Sequence, residues 1–335
     1  MLQRILVPLD GSLRAEQAIP VAARIAHISG GTLVLLQVAG IPLEYEPALY
    51  ASYVAQTPFY AQELLNAELA KARYYLVDLA QSERLKGITT VTEVRSGAAA
   101  PAILEFARAQ QVDLIVMCSH GRTGFTRWVL GSVAQKIARH SPVPVLVLRE
   151  GNFEHTDRVA EAAQPVRALV ALDGSPLAEA ALVPAAQLVA SLAAPAQGAL
   201  HLAQIVTLPM LRSEQDYKQH DGEARKQALQ EAIGYLSTVV DNLRNKWAVA
   251  LDLKVTWSVA VNEDVADAII RMAELGEETG AYEVQGCDLI AMATHGRGGL
   301  QRWLLGSITE RVLDGTKLPL LIVRPQGLIT PPTSV

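Results

Sequence analysis

Two clusters of residues in this chain have the types and spacing to hold an anion. The first is Ser119-His120-Gly121-Arg122, followed by Gly131-Ser132 with nine residues between the two glycines. The second is Thr294-His295-Gly296-Arg297, followed at the same spacing by Gly306-Ser307. Glycine lets the backbone come close to an anion. A helix starting at the second glycine would offer free backbone N–H groups and the positive end of its dipole. Ser132 and Ser307 add a hydroxyl, and Arg122 and Arg297 add charge. No lysine precedes either serine, so neither cluster is the G-x4-G-K-S/T phosphate loop. Asp10 and Asp173 each end an apolar run (ILVPL and ALVAL) and suit hydrogen bonds to a base or a ribose.

The elements around these residues decide whether they meet. Arg4 to Leu9, Thr32 to Val38, Thr89 to Arg95, Asp113 to Met117 and Val145 to Leu148 are short apolar runs and predict buried strands. Helical spacing fills the intervals, over Arg14 to Ile28 (with a kink at Pro20), Glu63 to Leu79, Pro101 to Ala109 and Ser132 to Ala138. Strands near Ala168 to Leu172, Ala199 to Ile205, Leu253 to Val259, Leu289 to Ala293 and Leu320 to Val323 repeat the order. Strands that alternate with helices and lack polar alternation predict a parallel sheet covered on both faces. Ligands of such sheets bind beyond the carboxyl ends of the strands. Asp10, Asp173 and both glycine clusters fall at those ends, and together they describe a nucleotide lying across them.

The chain is a duplication. RILVPLDGSLRAEQAI, from Arg4, matches RALVALDGSPLAEAAL, from Arg167; Asp113 to Arg149 matches Asp288 to Arg324. A repeat of this length is a whole domain rather than a solenoid unit. The expected domains are 1–150 and 166–325, with about a dozen extra residues in the second copy, largely in Met272 to Cys287. The polar stretch from Glu150 to Pro165 reads as a linker and the tail from Pro325 to Val335 as a frayed end. The uncharged stretch from Ala180 to Leu211 is broken by Pro184, Pro195, Gly198 and Pro209, so it reads as helix, turn and strand rather than a membrane span. Half of the 335 residues are hydrophobic and 19% are charged, which excludes global disorder. The net charge of -5 argues against a general nucleic-acid binder. Two cysteines, Cys118 and Cys287, build no disulfide framework and point to a reducing, cytoplasmic compartment.

The V-x-x-D-G-S start and the D-L-I-x-M-x-x-H-G-R-x-G stretch occur in both copies, which each resemble a universal stress protein domain of the subgroup with the G-x2-G-x9-G-S/T motif. The resemblance implies two tandem Rossmann-like domains, similar to the adenine nucleotide α hydrolases. Each would be a five-stranded parallel sheet of order 3-2-1-4-5 between helices. It also implies binding of ATP, with Mg2+, and pairing of the domains through their last strands, leaving room for a further homodimer. Carried over by position, it places nucleotide contacts in copy one at Pro8, Leu9, Asp10, Val38, Met117, Gly121, Arg122, Gly131, Ser132 and Val133. In copy two they fall at Ala171, Leu172, Asp173, Ile205, Met292, Gly296, Arg297, Gly306, Ser307 and Ile308. The first motif glycine is Cys118 in copy one and Ala293 in copy two, which strains the chain if that position needs positive φ.

Other readings compete at several positions. His120 and His295 have no evident nucleophile beside them and read as structural or phosphate-proximal. Cys118 reads as a space-filler after a strand, Trp128 and Trp303 as packing anchors, and Tyr45, Tyr50, Tyr53 and Tyr60 as part of a covering loop. Asp10 and Asp173 also suit a helix cap. The first 150 residues carry 14 basic and 12 acidic side chains, the remainder 15 and 22. Val261 to Asp288, with eight acids and one base, matches that acidic excess, so Glu263 and Asp264 stand to repel phosphates or help hold a divalent cation. The sequence shows no positioned base or metal clamp for fast hydrolysis. Binding without turnover is the expectation. The alternatives are a slow ATPase or nucleotide-dependent transferase, or a scaffold that binds no nucleotide.

Overall fold

The computed structural model describes residues 2–40, 58–119, 130–149, 164–207, 221–279, 282–284, 286–294 and 305–325. Among them, one compact unit runs from Leu2 to Val143 and a second from Pro144 onward.

In the first unit the apolar runs become β1 (Arg4–Leu9), β2 (Thr32–Ala39), β3 (Thr90–Ser96) and β4 (Leu114–Cys118), ordered β3-β2-β1-β4 and all parallel. Ile5 through Leu9 are all buried, as a strand covered on both faces requires. The single helix predicted over Arg14 to Ile28 is instead two, α1 (Leu13–Glu16) and α2 (Ala18–Ser29). Pro20 sits in the first turn of α2 and lacks the N–H that would bond back to Glu16, so the chain restarts its helix there. α2 then buries Ile19, Val21, Ala22, Ile25 and Ala26 on the sheet and stops at Gly30, whose φ of 64° ends it. α3 (Pro58–Ala80), α4 (Ala99–Ala109) and α5 (Ser132–His140) complete this unit.

The second unit contains β6 (Arg167–Leu172), α6 (Leu182–Ala193), β7 (Gly198–Val206), α7 (Asp221–Leu243), β8 (Leu253–Val261), α8 (Val265–Leu275), β11 (Leu289–Ala293), α9 (Ser307–Gly315) and β12 (Leu320–Val323). Its parallel strands run β8-β7-β6-β11-β12, which is 3-2-1-4-5 within the repeat. Two features go beyond the five parallel strands of the repeat. β5 (Val145–Leu148) belongs to this second unit and pairs antiparallel with β12, Leu146 opposite Leu321. Arg149, just past β5, donates through Nε to the Thr316 carbonyl (2.9 Å) and through Nη2 to Leu313, so a cation meets the carboxyl end of α9. The extra residues of copy two form an antiparallel pair, β9 (Glu277–Thr279) and β10 (Tyr282–Val284).

The uncharged stretch divides as expected into α6, a turn and β7. Gly198 opens β7 because a Cβ there would stand 2.6 Å from Val189 and 2.8 Å from Leu253. No helix among the described residues is long and apolar enough to cross a membrane.

The aspartate that opens the repeated D-L-I stretch has a structural task. Asp113 Oδ2 accepts from the backbone N–H of Gln3 (2.7 Å) and Arg4 (2.8 Å), tying the start of β1 to β4. Asp288 Oδ2 accepts from Arg167 N–H (2.8 Å) in the same way. The two strands whose far ends carry the motif residues are thereby held in register in both copies.

Candidate functional site

At the carboxyl end of β1 the chain turns on a hydrogen-bonded aspartate. Asp10 Oδ1 accepts from the N–H (3.0 Å) and the hydroxyl (2.6 Å) of Ser12. Ser12 Oγ accepts from Ala15 N–H at 3.2 Å, which makes Ser12 the N-cap of α1. Asp173 and Ser175 repeat this at 3.0, 2.6 and 3.3 Å. The helix cap is thus the serine, and the aspartate orients the cap from the strand end. Gly11 (φ 80°) and Gly174 (φ 83°) lie in the left-handed region this turn demands.

At the end of β4 the next helix is fastened directly to the strand. Gly131 N–H donates to the Ser119 carbonyl at 2.8 Å, and Gly306 N–H donates to the Thr294 carbonyl at 2.7 Å. Bonding in α5 begins with Gln135 N–H to Gly131 O and in α9 with Glu310 N–H to Gly306 O, both 2.9 Å. The first-turn N–H groups of both helices therefore precede the helical ladder, and neither N-cap glycine supplies a side-chain partner for them. A Cβ on Gly306 would stand 2.8 Å from the Thr294 carbonyl, so only glycine allows this approach. Thr309 Oγ1 adds a bond to the Ala293 carbonyl at 2.9 Å. Neither Cys118 nor Ala293 has positive φ; among the described residues other than glycine only Gln111 and Asp252 do. Replacing the first motif glycine therefore brings no backbone strain.

These ends enclose a cavity in each unit. In the first, Pro8, Leu9 and Asp10 meet Val38, Met117, Gly131, Ser132 and Val133 around about 220 Å³. In the second, Ala171, Leu172 and Asp173 meet Ile205, Met292, Gly306, Ser307 and Ile308 around about 480 Å³. The remaining expected positions, Gly121, Arg122, Gly296 and Arg297, lie outside the described residues, as do His120, His295, Trp128, Trp303, Tyr45, Tyr50 and Tyr53. Tyr60 falls in the first turn of α3.

A family model for the universal stress protein family matches residues 1–149 and again 166–324. The chain belongs to the universal stress protein family. A universal stress protein of Mycolicibacterium smegmatis is 24% identical over 96% of this chain and 97% of its own. The crystal structure of a universal stress protein from Archaeoglobus fulgidus shares the fold at a TM-score of 0.59, with 20% identity, covering 97% of this chain and 99% of that one. A universal stress protein solved in complex with cAMP is 24% identical over 44% of this chain and 97% of its own, with a TM-score of 0.29.

Within this universal stress protein, several cavity residues escaped the sequence reading. Ala99 and Ile103 of α4 line the first cavity, and Val265 and Ile269 of α8 take the same places in the second. Their i, i+4 spacing puts each pair on one face of its helix. Tyr235, Glu231 and Ala228 of α7 line the second cavity alone. In the first unit Tyr75 of α3 donates its hydroxyl to Glu16 Oε1 at 3.0 Å, and Glu16 also meets Arg84 at 3.7 Å. Burial first, then the charge and hydrogen bond of Glu16 and the charge of Asp10, push the Tyr75 hydroxyl well above its usual range.

The acidic segment of the second copy does not present Asp264 to the cavity as an unpaired charge. Asp264 accepts from Asp267 N–H at 3.1 Å as the N-cap of α8 and meets Arg311 Nη2 at 2.5 Å. The Arg311 hydrogen bond, followed by that from Asp267 N–H, holds this carboxylate below its ordinary value. Among the described residues no cluster of three or more His, Cys, Asp or Glu is arranged to hold a metal ion.

Proposed function

We propose that this tandem universal stress protein binds an adenine nucleotide, ATP with Mg2+, at the strand ends, and acts in a stress response by binding rather than by turnover. The observation that carries the reading is the repeated meeting of a turn aspartate with a glycine-led helix start across one cavity. Such a helix start favours phosphate through its free N–H groups and dipole, and the opposite end of the cavity offers a carboxylate and backbone to a base or ribose. Ligand pockets typically measure about 300 to 1,000 Å³. The second cavity, at about 480 Å³, falls in that range, and the first, at about 220 Å³, is smaller. The second domain is therefore the principal site in this reading, although its half of the chain is the more acidic.

The deciding experiment is calorimetric titration of the nucleotide-free full chain with MgATP. Binding with at least one site per chain is expected, and no heat at millimolar ATP would reject the nucleotide. Mass spectrometry of small molecules released from freshly purified chain identifies the ligand independently.

A further inference from the structure

Gln204 is a buried polar side chain whose amide oxygen finds no donor among the described residues. It sits on β7 with its Cα opposite Leu172 on one side and Val259 on the other, one residue before Ile205. It is 4% exposed, it lines the second cavity with Asp173, and among the described residues its Oε1 has no hydrogen-bond partner. A buried amide oxygen left without a donor destabilises the fold, so its retention calls for a reason. The same feature recurs at Gln37, the residue before Val38, whose Oε1 also has no partner among the described residues. The Gln37 amide nitrogen stands 3.7 Å from where a Cβ on Gly11 would be, so this side chain reaches the turn that follows Asp10. Two copies of the domain therefore keep an under-bonded glutamine at the same strand end.

We propose that the Gln204 amide is a base-reading group of the second cavity and selects adenine over 6-oxopurines. An amide offers a donor and an acceptor side by side. The N6 amine and N7 of adenine present the complementary pair, whereas a 6-oxopurine presents two acceptors on that edge. Gln204 Oε1 accepts from the exocyclic amine and Nε2 donates to the ring nitrogen. Gln204 lines the same cavity as Asp173 and Ile205, two of the expected nucleotide-contact positions. This inference rests on the nucleotide reading of the site.

The test compares MgATP with MgITP by calorimetry on the full chain carrying Gly131→Val, which obstructs the helix end of the first cavity, with Gln204 intact or changed to Met. Methionine keeps the length and removes both polar atoms. With Gln204 present, ATP should bind about tenfold or more tighter than ITP. Gln204→Met should bring that ratio close to one, with a melting temperature equal to or above that of the parent, because an unsatisfied buried group has been removed. An unchanged ratio, or a variant that melts well below its parent, overturns the proposal and marks the amide as structural. Failure of the unmodified chain to bind either nucleotide rejects the nucleotide reading itself, whereas ATP binding with an unchanged ratio rejects only the role of Gln204.

Discussion

Gly306 donates its N–H to the Thr294 carbonyl at 2.7 Å, and a Cβ at that glycine would stand 2.8 Å from the same oxygen. One residue thus fixes the start of α9 against the end of β11. Gly306→Val should push the helix start off the strand. We expect MgATP affinity at the second site to fall about tenfold or more, with a loss of about 1–3 kcal/mol in stability from overpacking. Calorimetry and urea denaturation of the same samples measure the two effects. Wild-type affinity in a folded variant would refute the placement of phosphate at this helix.

The hydroxyls of Ser132 and Ser307 stand at the first helical position of α5 and α9. Ser132→Ala and Ser307→Ala should each weaken MgATP binding about ten- to a hundredfold at their own site, because one hydrogen bond to a charged group contributes about 1.5–3 kcal/mol. Neither caps its helix, so the melting temperature should barely change. The comparison ranks the two cavities: the larger effect from Ser307→Ala is expected if the second domain is the principal site.

His201 gives the second domain an acid weakness. Its Nδ1 lies 2.9 Å from Thr256 Oγ1 and its Nε2 3.0 Å from Ser258 Oγ, across the β7–β8 pair. Burial, and then the charge of Arg167, lowers its pKa from 6.5 to about 4. The unfolded chain therefore takes up a proton on this side chain before the folded chain does. Stability is full above pH 6.5 and is lost as pH falls from there to about 4, by about 3 kcal/mol for this group. Urea midpoints between pH 7 and pH 4 should fall accordingly, and His201→Asn should flatten that part of the profile. An equal slope in the variant would assign the acid sensitivity elsewhere.

Asp264 both caps α8 and pairs with Arg311. Asp264→Ala should lower the melting temperature modestly, and part of the loss should vanish at high salt, where the exposed ion pair is screened. MgATP affinity should stay as it was. A marked gain in affinity would instead show that this carboxylate repels the phosphates.

Much of the fold was legible because it depends on local pattern. Apolar runs such as Ile5 to Leu9 are buried on both faces wherever they sit in a parallel sheet, so run length and spacing located the strands. β5, β11 and β12 fall on the residues expected. The break between α1 and α2 was less visible, since Pro20 signals a kink but not the restart of a helix. The hairpin of β9 and β10 carried no period long enough to read.

The sequence by itself determined the duplication, the alternation of strand and helix, and which residue types stand at the strand ends. Those are properties of order along one dimension. Only the tertiary structure decided which residues share a cavity and how large it is. Ser12 rather than Asp10 caps α1, Asp264 is paired with Arg311 across 47 positions, and α4, α7 and α8 contribute walls that no motif marks. Tyr75 turns to Glu16 in one domain while Tyr235 lines the cavity of the other, and the second cavity is the larger one. Volume, burial and hydrogen-bond satisfaction arise from groups far apart in the chain that meet only when the helices pack, so composition and spacing cannot report them.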